Sequence, residues 1–386
     1  MGVLVVLVVA GAPVDQRIPR SLVEVLSNRP DRTESDVGDI SVRRVATFDL
    51  PGPPTGLVFR GPTDGYIAIG SGEIVHFDLS DELELETVVD GLSQPRGLAV
   101  HDDKLYVTDI DVPCGEVGGL VRCSARDFPG TWPGPAQARI LLESRGRLLS
   151  YQTEDDGALS DEQVILDELP AATSDHAVND VVVGRDGRLY VAIGNVDSLR
   201  AHPELLEQVK RPNLDLLGTV IRVDPDGGEP VILVRGLRNV YGLTFDANGA
   251  LYGVDNDGPT VGGYRAEEVL RFRRGAHYGF PTEGTYGPFQ VRTHGPIWTL
   301  RTNGSAGIAW ARDVGLPDGL LIGSCGQVTY VRIPEDTGRP FFRNDERALI
   351  NPRGCIPAVE AAPDGRLVLA TINPNELHIY ETSVRD

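Results

Sequence analysis

The sequence predicts an all-β fold, a single six-bladed β-propeller, and two observations carry that prediction. A strand–turn–strand pattern recurs six times, and glycine and proline are abundant, 45 and 28 of 386 residues. The copies start at Gly56, Gly97, Asn179, Gly242, Gly307 and Ala358. Most turn at an Asp-Gly or Asn-Gly pair, as at Asp64-Gly65, Asp186-Gly187, Asn248-Gly249, Asp318-Gly319 and Asp364-Gly365. Alternating apolar residues around such a pair are the strongest short-range signal for a β-hairpin. Third runs with the same alternation begin at Gly218, Glu267, Val328 and Glu376.

A chain of 386 residues would ordinarily suggest two or three domains. Radial repetition removes that expectation, because many small sheets can form one body. Copies lie about 40 to 80 residues apart, longer than one blade where loops are inserted. Arg43–Asp49 is expected to close the ring by pairing with the last blade, which places the propeller at residues 43–386.

Residues 1–42 read differently. Val3–Ala10 is an apolar run of eight, far short of the ~20 residues that span a bilayer. It resembles the apolar part of a secretory signal or the tail of a membrane anchor, although the basic residues that usually precede one are missing. The polar stretch 14–42 reads as a tether. Export from the cytoplasm is the expectation, with an N-terminal membrane tether as a corollary.

The formal charge is −20, from 56 acidic and 36 basic residues. Such a chain repels a phosphate backbone and carries no basic stripe, so nucleic acid is not an expected partner. Carboxylates in excess suit solubility and can supply oxygen ligands to calcium. Among the four cysteines, Cys114 and Cys123 flank a glycine-rich stretch that suits a local disulfide loop, and Cys325 and Cys355 are expected to form a second bridge. No CxxC pair or neighbouring histidine supports zinc.

In a propeller, loops at the same position of each repeat converge on one mouth of the central channel. The loop before the third copy holds Asp175-His176, and the loop before the fourth holds Arg238-Asn239 and Tyr241. A histidine beside an aspartate, facing an Arg-Asn pair, offers a base, a charge and hydrogen-bond donors.

In order, these pieces are more specific than any alone. Asp175-His176 precedes a strand, and Gly184–Tyr190 forms a Gly-x-Asp-Gly-x-Leu-Tyr-like hairpin. Gly218–Gly227, Gly236–Leu243, Gly258-Pro259 and His277–Pro281 follow in sequence. This segment resembles the soluble quinoprotein glucose dehydrogenase and aldose sugar dehydrogenase family. The resemblance implies a pyrroloquinoline quinone cofactor bound through calcium at the channel mouth, with a sugar substrate and a separate electron acceptor. It implies that His176 takes the proton of the sugar hydroxyl and that Asp175 orients it. Arg238, Asn239 and Tyr241 would line the quinone, the carbonyls of Gly258 and Pro259 would hold calcium, and Glu267 and Glu268 match carboxylates of a structural calcium site.

The chain departs from the family pattern on the far side of the ring. Ser324-Cys325-Gly326-Gln327 stands where the family has a cofactor-binding lysine, and Arg353 is the one arginine where it has two. Two further readings therefore stand beside the dehydrogenase. One is a non-enzymatic binding propeller comparable to the hedgehog-interacting proteins. The other is a calcium-dependent propeller hydrolase using Asp175, Asp255 and Asp257.

Overall fold

The computed structural model describes residues 34–80, 83–112, 115–117, 120–122, 143–171, 176–196, 213–256, 267–280, 294–300, 302, 304–333 and 346–385. Six antiparallel sheets are arranged around an axis, each with its strands in meander order from the inside outwards. Blade 1 is Pro54–Phe59, Asp64–Ile69, Glu73–Asp78 and Glu84–Val89. Blade 2 is Pro95–His101, Lys104–Asp111, Arg145–Thr153 and Leu159–Pro170, with the small hairpin Gly115–Val117 and Leu120–Arg122 inserted. Blade 3 is Val178–Val183, Leu189–Ile193, Thr219–Val223 and Val231–Arg235. Blade 4 is Val240–Phe245, Leu251–Asp255, Glu267–Arg271 and Trp298–Leu300. Blade 5 is Ile308–Trp310, Gly319–Ser324, Gln327–Arg332 and Glu346–Ile350.

Blade 6 is built from both ends of the propeller. Cys355–Ala361, Leu367–Ile372 and Glu376–Val384 are completed by Ile40–Asp49, which pairs antiparallel with Glu376–Val384 from Ile40↔Val384 to Asp49↔Glu376. The expected closure by Arg43–Asp49 is therefore present. Pairing starts earlier than residue 43, however, and Glu34–Val37 adds an outer fifth strand. The cause is legible in hindsight: Gly38 turns at φ +66°, and Ile40 and Val42 alternate into the core against blade 5. The expected Cys114–Cys123 loop and the segment Val3–Ala10 lie outside the described residues. No helix of the described residues is long and apolar enough to cross a membrane.

The core is six cores. Each buried cluster joins one blade to the next, as Tyr66 and Leu105 join blades 1 and 2, and Tyr106 and Val191 join blades 2 and 3. The others lie between blades 3 and 4, 4 and 5, 5 and 6, and 6 and 1. Innermost strands touch their neighbours all the way round, which is possible because of one repeat position. At Gly56, Gly97, Gly242 and Gly307 a Cβ would collide with the backbone of the next blade. Blade 3 has Asp180 at this position, and its carboxylate instead accepts the Leu243 N–H of blade 4 at 2.7 Å.

Candidate functional site

Each innermost strand starts at the same mouth of the channel, so the residues just before these strands meet there. His176 precedes the innermost strand of blade 3 with φ 43°, a left-handed conformation that disfavours a side chain. Three residues beyond the second strand of that blade hold it. Val196, itself at φ 50°, donates its N–H to the His176 carbonyl at 3.0 Å. Gly194 lies so close to that carbonyl that a Cβ would collide with it. Asn195 places its Oδ1 3.0 Å from Nδ1 of His176. An amide oxygen only accepts, so this contact keeps the proton on Nδ1 and leaves the lone pair on Nε2.

One of these three residues also reaches blade 4. The Asn195 N–H donates to the Arg238 carbonyl at 2.8 Å. Asp255, at the end of the second strand of blade 4, accepts the N–H groups of Arg238 and Asn239 at 3.0 and 2.6 Å. Burial pushes the Asp255 carboxyl up, while those two N–H bonds and the nearby charges of Arg238 and His176 pull it back. The Arg238 guanidinium donates to the Asn256 carbonyl at 2.7 Å. Asn239 accepts from the Asn179 amide at 2.8 Å, and Asn179 in turn accepts from Arg96 at 2.5 Å. His176, Arg238 and Asn239 thus form one hydrogen-bonded group across two blades.

Blade 2 repeats the device without the chemistry. Asp109 stands opposite Pro95 as Asp255 stands opposite Val240. It accepts the Gln94 N–H at 2.8 Å and pairs with Arg147 at 2.5 Å. An aspartate at this position is a clamp on the loop before the innermost strand. Both oxygens of Asp255 thus serve as acceptors for the backbone N–H groups of the loop it clamps.

Other expected residues fall elsewhere. Asp175, Asp257, Gly258 and Pro259 lie outside the described residues. Tyr241 is buried within the channel, its ring centre 5.8 Å from the Arg96 guanidinium, and not beside His176. Glu267 is buried and accepts the Gly304 N–H at 3.1 Å. Glu268 is its neighbour on a strand, where successive side chains take opposite faces, so the two carboxylates do not converge on one ion. Among the described residues no group of three or more His, Cys, Asp or Glu side chains gathers as for a metal.

Across the mouth, blade 5 presents neutral groups. The hydroxyls of Thr302, Ser305 and Ser324 form a triangle with edges of 2.9, 2.9 and 3.2 Å. Beside it the expected Cys325–Cys355 disulfide joins the two blades, and the Gly326 N–H donates to the Gly354 carbonyl at 2.7 Å. Arg353 is exposed next to it.

The model of one protein family, glucose/sorbosone dehydrogenase, matches residues 137–378, a span that contains His176, Asn195, Arg238, Asn239 and Asp255. The chain belongs to that family. No curated protein matches it. Similar solved structures include the pyrroloquinoline-quinone-bound aldose sugar dehydrogenase of Streptomyces coelicolor, 17% identical, with TM-score 0.62 over 90% of this chain and 99% of that one. The apo soluble aldose sugar dehydrogenase of Escherichia coli is 15% identical, with TM-score 0.57 over 90% and 100%. The quinone domain of Coprinopsis cinerea pyranose dehydrogenase is 12% identical, with TM-score 0.63 over 92% and 98%. At these identities the likeness establishes the propeller. Family membership makes the chain a sugar-dehydrogenase-like propeller.

The residue that sequence reasoning missed is Asn195. Its signal was the short Gly194-Asn195-Val196 run after a strand, unremarkable until the fold brings it between His176 and Arg238.

Proposed function

We propose that this protein oxidises a sugar hydroxyl at the channel mouth with pyrroloquinoline quinone as cofactor, and that His176 is the general base. The observation that carries the reading is the His176–Asn195–Arg238–Asp255 chain of hydrogen bonds. The donor set fits the cofactor: a guanidinium, an amide and an imidazole face a mouth that would receive a planar anion rich in oxygen. Arg238 and Asn239 would hold the quinone end. When bound, the quinone supplies the acceptor for the hydride that leaves the sugar carbon.

The chain's own residues account for the proton. Asn195 holds the Nδ1 proton, so Nε2 of His176 takes the hydroxyl proton of the sugar as its carbon becomes a carbonyl. The imidazolium formed then lies within the field of the Asp255 carboxylate. Arg238 offsets negative charge that builds opposite it. Calcium at the loop of Gly258 and Pro259, a separate electron acceptor and export from the cytoplasm belong to the same reading.

The hydroxyls and the disulfide of blades 5 and 6, with Arg353 the one arginine beside them, favour a second reading, a binding propeller that has lost the quinone. One experiment separates the two. Purified protein is mixed with pyrroloquinoline quinone and calcium, and quinone absorbance is read after gel filtration beside dye reduction with a panel of aldoses. Retained quinone with sugar-dependent dye reduction supports the dehydrogenase. Failure to retain quinone, or retention without turnover on any aldose, overturns it.

A further inference from the structure

A line of side-chain hydrogen bonds crosses from blade 2 to blade 4 beneath the mouth. It begins at Arg96 of blade 2, which is 2% exposed, and runs through Asn179 of blade 3, which is 1% exposed. It ends at the half-buried Asn239 of blade 4. The Arg96 guanidinium donates to Asn179 Oδ1 at 2.5 Å. Asn179 Nδ2 donates to Asn239 Oδ1 at 2.8 Å and to the Val240 carbonyl at 2.9 Å. Blade 2 also grips the Asn179 backbone, since the Thr108 hydroxyl donates to its carbonyl.

The polarity of this line is forced. An amide side chain can present either its oxygen or its NH2 group, and its partners decide which. A guanidinium has no acceptor, and a peptide carbonyl has no donor. Asn179 is therefore fixed twice, with its oxygen towards Arg96 and its NH2 towards Val240 and Asn239. The atom of Asn239 that meets this NH2 must be the oxygen. The backbone of Asn239 is engaged as well: its N–H donates to Asp255 at 2.6 Å, and its carbonyl accepts the Asn256 N–H at 3.1 Å. Nδ2 is the polar group that remains, with no bond to a described residue, and it can only donate.

We infer that Arg96 is a positioning residue: through Asn179 it turns Asn239 so that an N–H donor is offered to the ligand at the mouth. The group received there is an oxygen acceptor, such as a quinone carbonyl or a carboxylate. The inference rests on the reading that seats the quinone beside Arg238 and Asn239. It also gives a reason for burying an arginine here. An apolar residue of similar volume would avoid desolvating a charge, but it would leave both amides free to turn.

Asn179→Asp tests the polarity. A carboxylate cannot donate, so Asn239 would turn its NH2 inwards to meet it and present its oxygen to the ligand. Quinone affinity should fall by about 10- to 100-fold, read by absorbance titration without sugar. Asn179→Leu leaves Asn239 free to take either orientation but strips Arg96 of this acceptor. It should therefore lower Tm more than Asn179→Asp does, and quinone affinity less. A merely structural Asn179 predicts the same order in both readouts, and that result overturns the inference. Arg96→Lys keeps a head that only donates, so it should retain more quinone than Arg96→Met. A joint neutron and X-ray structure of the unmodified protein reads the Asn239 amide deuterons directly, with or without cofactor. Nδ2 turned away from Asn179 is expected, and a reversed amide overturns the inference even if every variant fails to fold. Unmodified protein that shows the expected amide yet takes up no quinone sinks the dehydrogenase reading alone.

Discussion

The two halves of the channel mouth are built from equivalent loops of the same repeat, yet they differ in kind. At blades 3 and 4 the loops carry ionisable side chains, each held by hydrogen bonds within its own blade and joined across the seam by the Asn195 N–H. His176 and Arg238 are joined through Asn195, and Asp255 clamps the loop of Arg238. At blades 5 and 6 the equivalent loops hold three hydroxyls and a disulfide. The fold evidently supplies a frame in which one arc of loops can do proton chemistry while the opposite arc is locked covalently.

The largest expected effect falls on the reactive half. His176→Ala should lower sugar oxidation by about 10²–10⁴-fold, the usual contribution of a positioned base, with quinone retention unchanged. Steady-state dye reduction and retained absorbance measure the two separately. Equal loss of both would place His176 in cofactor binding and erase the proposed division of labour.

Next comes the locked half. Replacing Cys325 and Cys355 together by serine opens a crosslink with a sequence separation of 30 residues. Stability should fall by about 2–4 kcal/mol, measured by denaturant unfolding without reductant. The pH profile of turnover should stay in place, and a shifted profile would mean that the two halves are coupled.

Asn195 sharpens the comparison further. Asn195→Ala releases Nδ1 and admits the wrong tautomer, which should cost about 10- to 100-fold in kcat, as losing the partner that orients a histidine does at metal sites. Asn195→Asp faces the ring with a carboxylate, which favours the imidazolium and should move the acid limb of kcat/KM to higher pH. A purely structural Asn195 would change stability and leave that limb alone.

The smallest effect belongs to the hydroxyl triangle. Ser324→Ala leaves Thr302 and Ser305 bonded to each other, so the loss should be about 1 kcal/mol in unfolding with no change in KM. A rise in KM would instead put this triangle against the ligand.

Much of this protein is determined locally. Alternation and Asp-Gly turns place the innermost strand of every blade, because period-two patterning and two-residue turns are decided by neighbours in sequence. Asp175-His176 and Arg238-Asn239 could be singled out for the same reason: they precede those strands, and the repeat dictates which end of the strand is the mouth. The Ile40–Val42 stretch was harder, since its polar flanks hide an alternation that matters only once Glu376–Val384 lies alongside. Tertiary structure alone decided the rest. Asn195 gains its role from contacts 19 residues away at His176 and, through its N–H, at Arg238. Tyr241 looks like a neighbour of Arg238 in sequence, but strand alternation and ring closure turn it into the axial channel beside Arg96. Asp180 and Glu360, far apart in sequence, line one axial void only because six blades close a ring. Burial and long-range pairing are properties of that closure, and no window of sequence contains it.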